Sequence, residues 1–365
     1  MSIFADYEYM GRALELARLA EGRTSPNPMV GAVLVKDGQI VGEGYHQKAG
    51  TPHAEVHALR QAGDRARGAT LYVNLEPCSH YGRTPPCAEA LIQAGVARVV
   101  AAMTDPNPLV AGRGMKLLAA AGIKTEVGLR AAEAQRLNEV FIKYITSRRP
   151  FVVLKTAMTW DGKIATSTGQ SRWVTGSAAR TYVHRLRNIY DGIMVGIGTV
   201  LADDPQLTVR LEGIPTRNPV RIVVDSRLRV PLQAQVVNQL SNARTIIATT
   251  EQAPREKITE LEQRGVEVLV VEGRERVDLN QLMLRLGERD ICSILLEGGA
   301  TLNAAALEAG IVDKVLNFIA PKIIGGAMAP TPVGGVGKQV MNDAWCLNNC
   351  SVDRIGEDFL LTGYL

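Results

Sequence analysis

Between residues 6 and 22 apolar side chains recur at three- and four-residue spacings, at Tyr9, Ala13, Leu16, Ala17 and Ala20, which predicts an opening amphipathic helix ending near Gly22. The period then changes. Met29 to Val35 and Gln39 to Gly44 read as two strands joined through Lys36-Asp37-Gly38, where Asp-Gly supplies hairpin chemistry. A helix over 52–62, a strand over 69–75, a helix over 85–94, a strand over 98–103 and helices over 111–121 and 131–146 follow. Ser147-Arg148-Arg149-Pro150 interrupts the pattern, and a new apolar strand runs over 151–157. Strands near 192–196, 221–225, 245–249, 267–271 and 293–296 alternate with helices beyond it, and the Gly-rich stretch 325–337 reads as a mobile loop. This alternation predicts two α/β units, 1–147 and 148–365, each with a layered sheet.

Composition changes this picture little. A chain of 365 residues, 46% hydrophobic, has the length of two domains, each with its own core. The net charge of +4 is spread evenly over the halves, so nothing marks a basic face for nucleic acid. No apolar run approaches the roughly 18 to 20 residues of a membrane span, and the acidic groups of the first helix do not suit a signal peptide. A cytoplasmic enzyme without a membrane partner is expected. Five cysteines fit poorly with a disulfide framework, but two of them, Cys78 and Cys87, lie near four of the five histidines.

That crowding is the first chemical signal. His53, Cys78 and Cys87 offer one imidazole and two thiolates, a three-ligand set of the kind that leaves the fourth position of a catalytic Zn2+ to water. Glu55, two residues beyond a ligand, is placed to take a proton from water and return it to a departing amine. Thr51-Pro52 and Thr84-Pro85 read as N-cap followed by first-turn proline, which puts His53 and Cys87 in the first turns of two helices, where thiolates are favoured. His-x-Glu followed by Pro-Cys and Cys is the zinc deaminase pattern, with eight residues between the cysteines where the common form has two. His57 shares the face of His53 and reads as a packing residue or a support for a ligand; His80 is a substrate-contact candidate.

The stretches Thr24-Ser25-Pro26-Asn27-Pro28-Met29-Val30-Gly31, His53-Ala54-Glu55 and Glu76-Pro77-Cys78 through Pro86-Cys87 resemble the deaminase half of the bifunctional riboflavin-biosynthesis deaminase/reductase family, whose mark is the long insert between the cysteines. The resemblance implies hydrolytic removal of the 2-amino group of a phosphorylated diaminopyrimidinone ribosylamine, with His53, Cys78 and Cys87 on zinc, Glu55 moving protons and Asn27 holding the pyrimidine ring. A turn-forming role for Asn27 is equally open from residue type alone.

In the second half no G-x-G-x-x-G opens a helix, since Gly196-Ile197-Gly198 lacks the third glycine, and a Rossmann dehydrogenase is disfavoured. An apolar strand runs through Glu297-Gly298-Gly299 into a helix, a second form of anion cradle, or simply a tight turn. Lys155 to Ala165, Ser171 to Gly176, Asp191 to Val200, Asp203 to Arg210 and Leu296 to Gly299 resemble the reductase half of the same family. With the first half, the likeness covers nearly the whole chain. It implies a cytidine-deaminase-like three-layer α/β/α domain followed by a dihydrofolate-reductase-like α/β domain that uses NADPH. It assigns Ala157, Trp173, Thr199, Asp203, Gly299, Ala300, Thr301, Leu302, Asn303, Ala304 and Ala305 to the cofactor, and Ser171, Arg187, Leu207, Arg210 and Glu297 to the substrate. Arginines suit a phosphate by their forked donors, although Arg187 on a helix also reads as a solvated face and Trp173 as core. Lys155 and Glu297 are the candidates for a general acid.

Two rival readings remain at this level. A nucleic-acid deaminase with an appended nucleotide-binding domain fits the zinc pattern, but the near-neutral charge and 5% aromatic content argue against it. A scaffold with structural zinc is the other. Family likeness also implies a homodimer through the second domain, while Cys292, Cys346 and Cys350 carry no assigned role.

Overall fold

The computed structural model describes residues 3–79, 81, 86–108, 110–238 and 241–365, and divides into two compact units that meet between Arg148 and Arg149. In the first unit β1 (Gly31–Lys36) and β2 (Gln39–Tyr45) form the expected hairpin, with Asp37 and Gly38 both at positive φ, 51° and 77°. β3 (Thr70–Val73), β4 (Arg98–Ala101) and β5 (Lys124–Val127) complete a sheet in the order β2-β1-β3-β4-β5. β1 runs antiparallel to β2 and β3, and the remaining pairs are parallel. The helices are α1 (Ile3–Arg18), α2 (Ala54–Ala62), α3 (Cys87–Gln93), α4 (Arg113–Ala120), α5 (Ala131–Leu137) and α6 (Glu139–Ser147).

Two glycines show how the layers close. A Cβ on Gly31 would lie 2.1 Å from the Ala13 carbonyl oxygen of α1, and one on Gly44 would lie 2.5 Å from both the Ala54 carbonyl oxygen and the His57 Cβ of α2. Gly44 pairs with Ala32, the neighbour of Gly31, so the two glycines face opposite sides and let a helix settle on each face of the sheet. The core between the layers, with Leu14, Leu34, Leu71, Tyr72, Val99 and Leu118, is closed to solvent.

The second unit holds β6 (Phe151–Thr159), α7 (Ser177–Ile189), β7 (Gly192–Gly196), α8 (Ile197–Asp203), β8 (Val220–Val224), α9 (Gln235–Asn238), β9 (Thr245–Thr249), α10 (Arg255–Gln263), β10 (Glu267–Val270), α11 (Leu279–Gly287), β11 (Ser293–Leu296), α12 (Ala300–Glu308), β12 (Lys314–Ala320), β13 (Asn348–Ile355) and β14 (Asp358–Tyr364). Nine strands lie in the order β10-β9-β8-β7-β11-β6-β12-β14-β13, parallel from β10 to β12 and antiparallel thereafter. Successive residues of the central strands serve opposite faces: Met194, Leu296 and Leu154 join the cluster with α11 and α12, whereas Ile193, Val195 and Ile247 join the one with α8, α9 and α10.

Several expectations need correction. The helix expected over 131–146 is two helices broken at Asn138, whose φ and ψ are −104° and 22°. β5 was not expected, because its four residues are short and partly exposed, and β12 to β14 were not expected either. Thr51 does not cap α2: its hydroxyl donates to the Lys48 carbonyl at 2.6 Å and so closes the preceding turn, leaving His53 at the N-cap position. Thr84, Pro85 and His80 lie outside the described residues. The stretch 325–337 is irregular but tied down, with Gly325 N–H on the Asp161 carboxylate at 2.7 Å and Gly334 N–H on the Ala300 carbonyl at 3.0 Å.

Gly44→Ala should push α2 off β2 and lower the stability of the first unit by roughly 1 to 3 kcal/mol, the usual cost of overpacking. Chemical denaturation followed by a probe in that unit measures it, and an unchanged midpoint would contradict the close approach of α2.

Candidate functional site

In the first unit, loop ends and helix starts bring three donors together. His53 stands immediately before α2, Cys78 follows β3 by a short loop, and Cys87 is the first residue of α3. His53 Nδ1 lies 3.2 Å from Cys87 Sγ and 3.6 Å from Cys78 Sγ, and all three donor atoms fall within 4.8 Å of one another. This is a thiolate-rich, three-protein-ligand set that fits zinc and leaves room for a fourth ligand. Among the described residues it is the only cluster of this kind.

The thiols divide one charge between them. The hydrogen bond with Cys87, with help from His53 and from the Cys87 N–H at 3.3 Å, holds Cys78 down to about 4, whereas that same bond and burial push Cys87 well above the ordinary thiol range. The hydrogen bond with Cys78 raises His53. Glu55, at 3% exposure, is pushed up to about 7 by burial and then by the Cys78 charge. A dication on the three donors acts in the opposite sense and favours the carboxylate.

The surroundings fix these groups from distant parts of the chain. The Glu76 carboxylate, one residue before Pro77-Cys78, accepts from the N–H groups of Asp105, Gly112, Gly114 and Met115 at 2.8 to 3.2 Å. His46 Nδ1 donates to the Pro52 carbonyl at 3.2 Å, so its Nε2 accepts from Asn27 Nδ2, also at 3.2 Å. The Asn27 Oδ1 is thereby left as the acceptor available to a ring.

In the second unit a charged group sits at the carboxyl end of β11. Glu297 receives a fork from Arg187 of α7, Nε at 2.7 Å and Nη2 at 2.9 Å, and Lys155 Nζ of β6 stands 3.9 Å away. Burial works against the Glu297 carboxylate, but the Arg187 and Lys155 charges hold it down to about 2, while burial lowers Lys155. Arg187 Nη1 also donates to the Thr208 carbonyl at 3.2 Å, and Arg210 N–H donates to His184 Nδ1 at 3.2 Å, so the 207–210 segment is stitched to α7. Nearby, Gly299 caps α12 without a side chain, and a Cβ there would lie 3.8 Å from Thr199 Oγ1. Asn303 is buried, with Nδ2 on the Pro332 carbonyl at 2.8 Å and, among the described residues, no partner for Oδ1. A glycine-lined helix start beside an unsatisfied buried acceptor suits the polar groups of a dinucleotide.

Residues 5–103 match the cytidine and deoxycytidylate deaminase zinc-binding region, and residues 150–361 match the RibD C-terminal domain. A riboflavin biosynthesis protein RibD of Actinobacillus pleuropneumoniae is 50% identical over 98% of this chain and 94% of its own length. The chain belongs to the RibD family. It is a bifunctional enzyme of riboflavin biosynthesis that joins a zinc-binding deaminase to an NADPH-using reductase and acts on a small-molecule pyrimidine. The RibD of Synechocystis is 48% identical over 100% of this chain and 97% of its own length. Among solved structures, Acinetobacter baumannii RibD aligns with TM-score 0.89 at 40% identity, covering 100% of this chain and 99% of that one. A Thermotoga maritima protein described as diaminohydroxyphosphoribosylaminopyrimidine deaminase/5-amino-6-(5-phosphoribosylamino)uracil reductase aligns with TM-score 0.87 at 38% identity, with 99% of both chains covered. The RibD fold is thus a cytidine-deaminase-like α/β/α unit and a dihydrofolate-reductase-like unit. No helix among the described residues is long and apolar enough to cross a membrane.

Within this RibD chain, His53, Cys78, Cys87 and Glu55 come together, as do Lys155, Arg187 and Glu297 in one group and Thr199 and Gly299 in another. Arg187 is not a solvated side chain: its fork is occupied by Glu297, because two charges this buried need each other. Trp173 is 61% exposed rather than core, with the Arg180 guanidinium 4.6 Å from its ring centroid and Lys322 Nζ on its carbonyl at 2.9 Å. Arg172 Nη2 reaches the Asp203 carbonyl at 3.4 Å. Ala157 lies in β6 opposite Phe318, Ser171 in the loop before Trp173, Leu207 is buried at φ 53°, and Ala300 to Ala305 open α12. Nothing in the sequence marks the roles of Asn74, Asn138, His46 and His184, and Glu76 enters only through the Glu76-Pro77-Cys78 motif; each of the five bonds to residues remote in the chain.

At pH 7 the metal-free site holds Cys87 protonated and Cys78 ionised, so zinc should displace about one proton from Cys87, and affinity should rise about tenfold per pH unit. Calorimetry in buffers of different ionisation enthalpy reads this release; a buffer-independent heat would contradict the division of charge.

Proposed function

We propose that the first unit removes the 2-amino group of 2,5-diamino-6-(5-phosphoribosylamino)pyrimidin-4-one as ammonia and the second reduces the ribosyl group of the resulting 5-amino-6-(5-phosphoribosylamino)uracil to ribityl, the two reactions named for the Thermotoga maritima relative. One observation carries the reading: a three-donor metal set has a fully buried carboxylate, Glu55, beside it but outside the set. When bound, zinc supplies a Lewis acid that acidifies water, and NADPH supplies the hydride. Glu55 then takes a proton on its carboxylate and gives it to the leaving amine, and its burial, which favours the protonated form, suits the second half of that cycle. Asn27 Oδ1 faces the ring as an acceptor while His46 holds its amide nitrogen.

In the reductase, Ala157, Trp173, Thr199, Asp203 and Gly299 to Ala305 hold NADPH, whose phosphates suit the N–H groups at the start of α12. Ser171, Arg187, Leu207, Arg210 and Glu297 hold the substrate. With its fork on Glu297, Arg187 orients that carboxylate, and the exposed Arg210 is left as the cation for the substrate phosphate. Lys155, buried and with its ammonium form disfavoured, is the group best able to give a proton up.

The protein acts as a cytoplasmic homodimer joined through the second domain. In support, β13 is a sheet-edge strand almost wholly exposed, and Val336, Met341 and Val352 expose apolar surface on that segment or the one leading to it. None of the five cysteines, all among the described residues, forms a disulfide, which suits a reducing compartment.

Glu55→Gln should cut deamination by about 10^2 to 10^4 while NADPH oxidation on the pre-deaminated intermediate stays at the parent rate. Loss of both steps in a folded, zinc-loaded variant would overturn the separation of sites. Light scattering across a dilution series should report a dimer that Val352→Lys weakens; a monomer at all concentrations would remove the dimer.

A further inference from the structure

Residues 104–149 are matched by neither family model, yet they reach back to the segment that carries Asn27. Asn138 is the point of contact. It is 2% exposed, it sits at the break between α5 and α6, and its carboxamide pairs with the backbone of one remote residue. Oδ1 accepts from Met29 N–H at 2.8 Å and Nδ2 donates to the Met29 carbonyl at 3.0 Å, so the side chain occupies both polar groups of Met29 as a neighbouring strand would. Asn74, also buried, adds a second hold, with Nδ2 on the same carbonyl at 2.9 Å and Oδ1 on Gly31 N–H at 2.8 Å.

The location matters because of what lies two residues upstream. Asn27 is joined to Met29 through Pro28 and preceded by Pro26, and each proline ring fixes φ. Asn27 N–H further closes a turn on the Thr24 carbonyl at 2.7 Å. With so few soft torsions between them, the orientation of the Met29 peptide sets the direction in which Asn27 presents its carboxamide. His46 constrains the Asn27 amide nitrogen from the opposite side.

We propose that Asn138 is a positioning residue for the deamination step, holding Met29 so that Asn27 meets the pyrimidine ring ready-oriented. The inference rests on the assignment of Asn27 to ring recognition made above. It also explains why a residue with poor helix propensity interrupts an otherwise continuous helical run: the break frees a carboxamide to replace a strand partner that β1 lacks at this end.

Asn138→Asp keeps the shape and the acceptor but loses the donor and places a charge against the Met29 carbonyl; Asn138→Ser removes the pairing with no added charge. In the full-length zinc-loaded enzyme, each should raise the deamination KM about tenfold, the scale of one or two lost hydrogen bonds, with kcat within about threefold. Zinc content and the rate on the pre-deaminated intermediate should equal those of the parent. Asn27→Ala should raise the same KM, and adding Asn138→Ser to it should raise it no further, since a residue acting through Asn27 has nothing left to position. Four results would overturn the proposal. An unchanged KM in both Asn138 variants beside a raised KM in Asn27→Ala would remove Asn138 and leave the ring assignment standing. Effects that multiply in the double variant would show that Asn138 acts by another route. A fall in zinc content and kcat with KM unchanged would make it a support for the metal. An unchanged KM in Asn27→Ala would remove the ring assignment itself.

Discussion

Two thiols, an imidazole and a carboxylate crowded into a buried corner lose their hydration, and the anionic forms of the thiols and the carboxylate repel one another. In this chain other interactions hold the backbone around them. In the first unit this is achieved by polar groups spent on backbone rather than on substrate. Glu76 gathers four N–H groups from residues 105–115, which pins the loop that carries Cys78. With that many donors the lone pairs of this buried carboxylate are satisfied. Gly44 lets α2 approach the sheet closely, and His53 stands immediately before that helix. The metal ligands are therefore the last link of a network whose earlier links are ordinary hydrogen bonds and steric gaps.

The second unit meets the same difficulty differently. Its central charges compensate each other directly: Glu297 is bracketed by Arg187 and Lys155, and Arg187 passes the order on to the Thr208 carbonyl. A buried pair of this kind contributes little net stability, but removing one member leaves the other uncompensated. What it secures is direction, since a forked arginine holds both carboxylate oxygens. The helix start at Gly299, with no side chain in the way, stands a short distance along the same sheet edge, where parallel α/β sheets gather ligands at strand carboxyl ends.

The parts of this arrangement visible in the sequence were those in which chemistry and spacing coincide locally. His53-Ala54-Glu55 and Pro77-Cys78 speak for themselves, and Asp37-Gly38 declares its turn. The supporting residues were not legible, for a physical reason: Asn138 and Glu76 bond to backbone N–H and carbonyl groups, which every residue possesses, so nothing at Met29 or Gly114 advertises the partner. β13 escaped because an exposed edge strand has no apolar alternation, and β5 because four half-exposed residues carry too little pattern. β12, with Val315, Leu316, Phe318 and Ile319, does carry an apolar run that reads as a strand.

The Glu76 clamp has a consequence for how this enzyme is divided into modules. The match to the cytidine and deoxycytidylate deaminase zinc-binding region ends at residue 103, but all four donors to Glu76 lie beyond that point. A fragment cut where that match stops would leave the Glu76 carboxylate without its four donors and the loop that carries Cys78 unmoored. Kinship and cooperativity therefore draw different borders here, and the inherited catalytic core is not by itself a unit that folding would recognise.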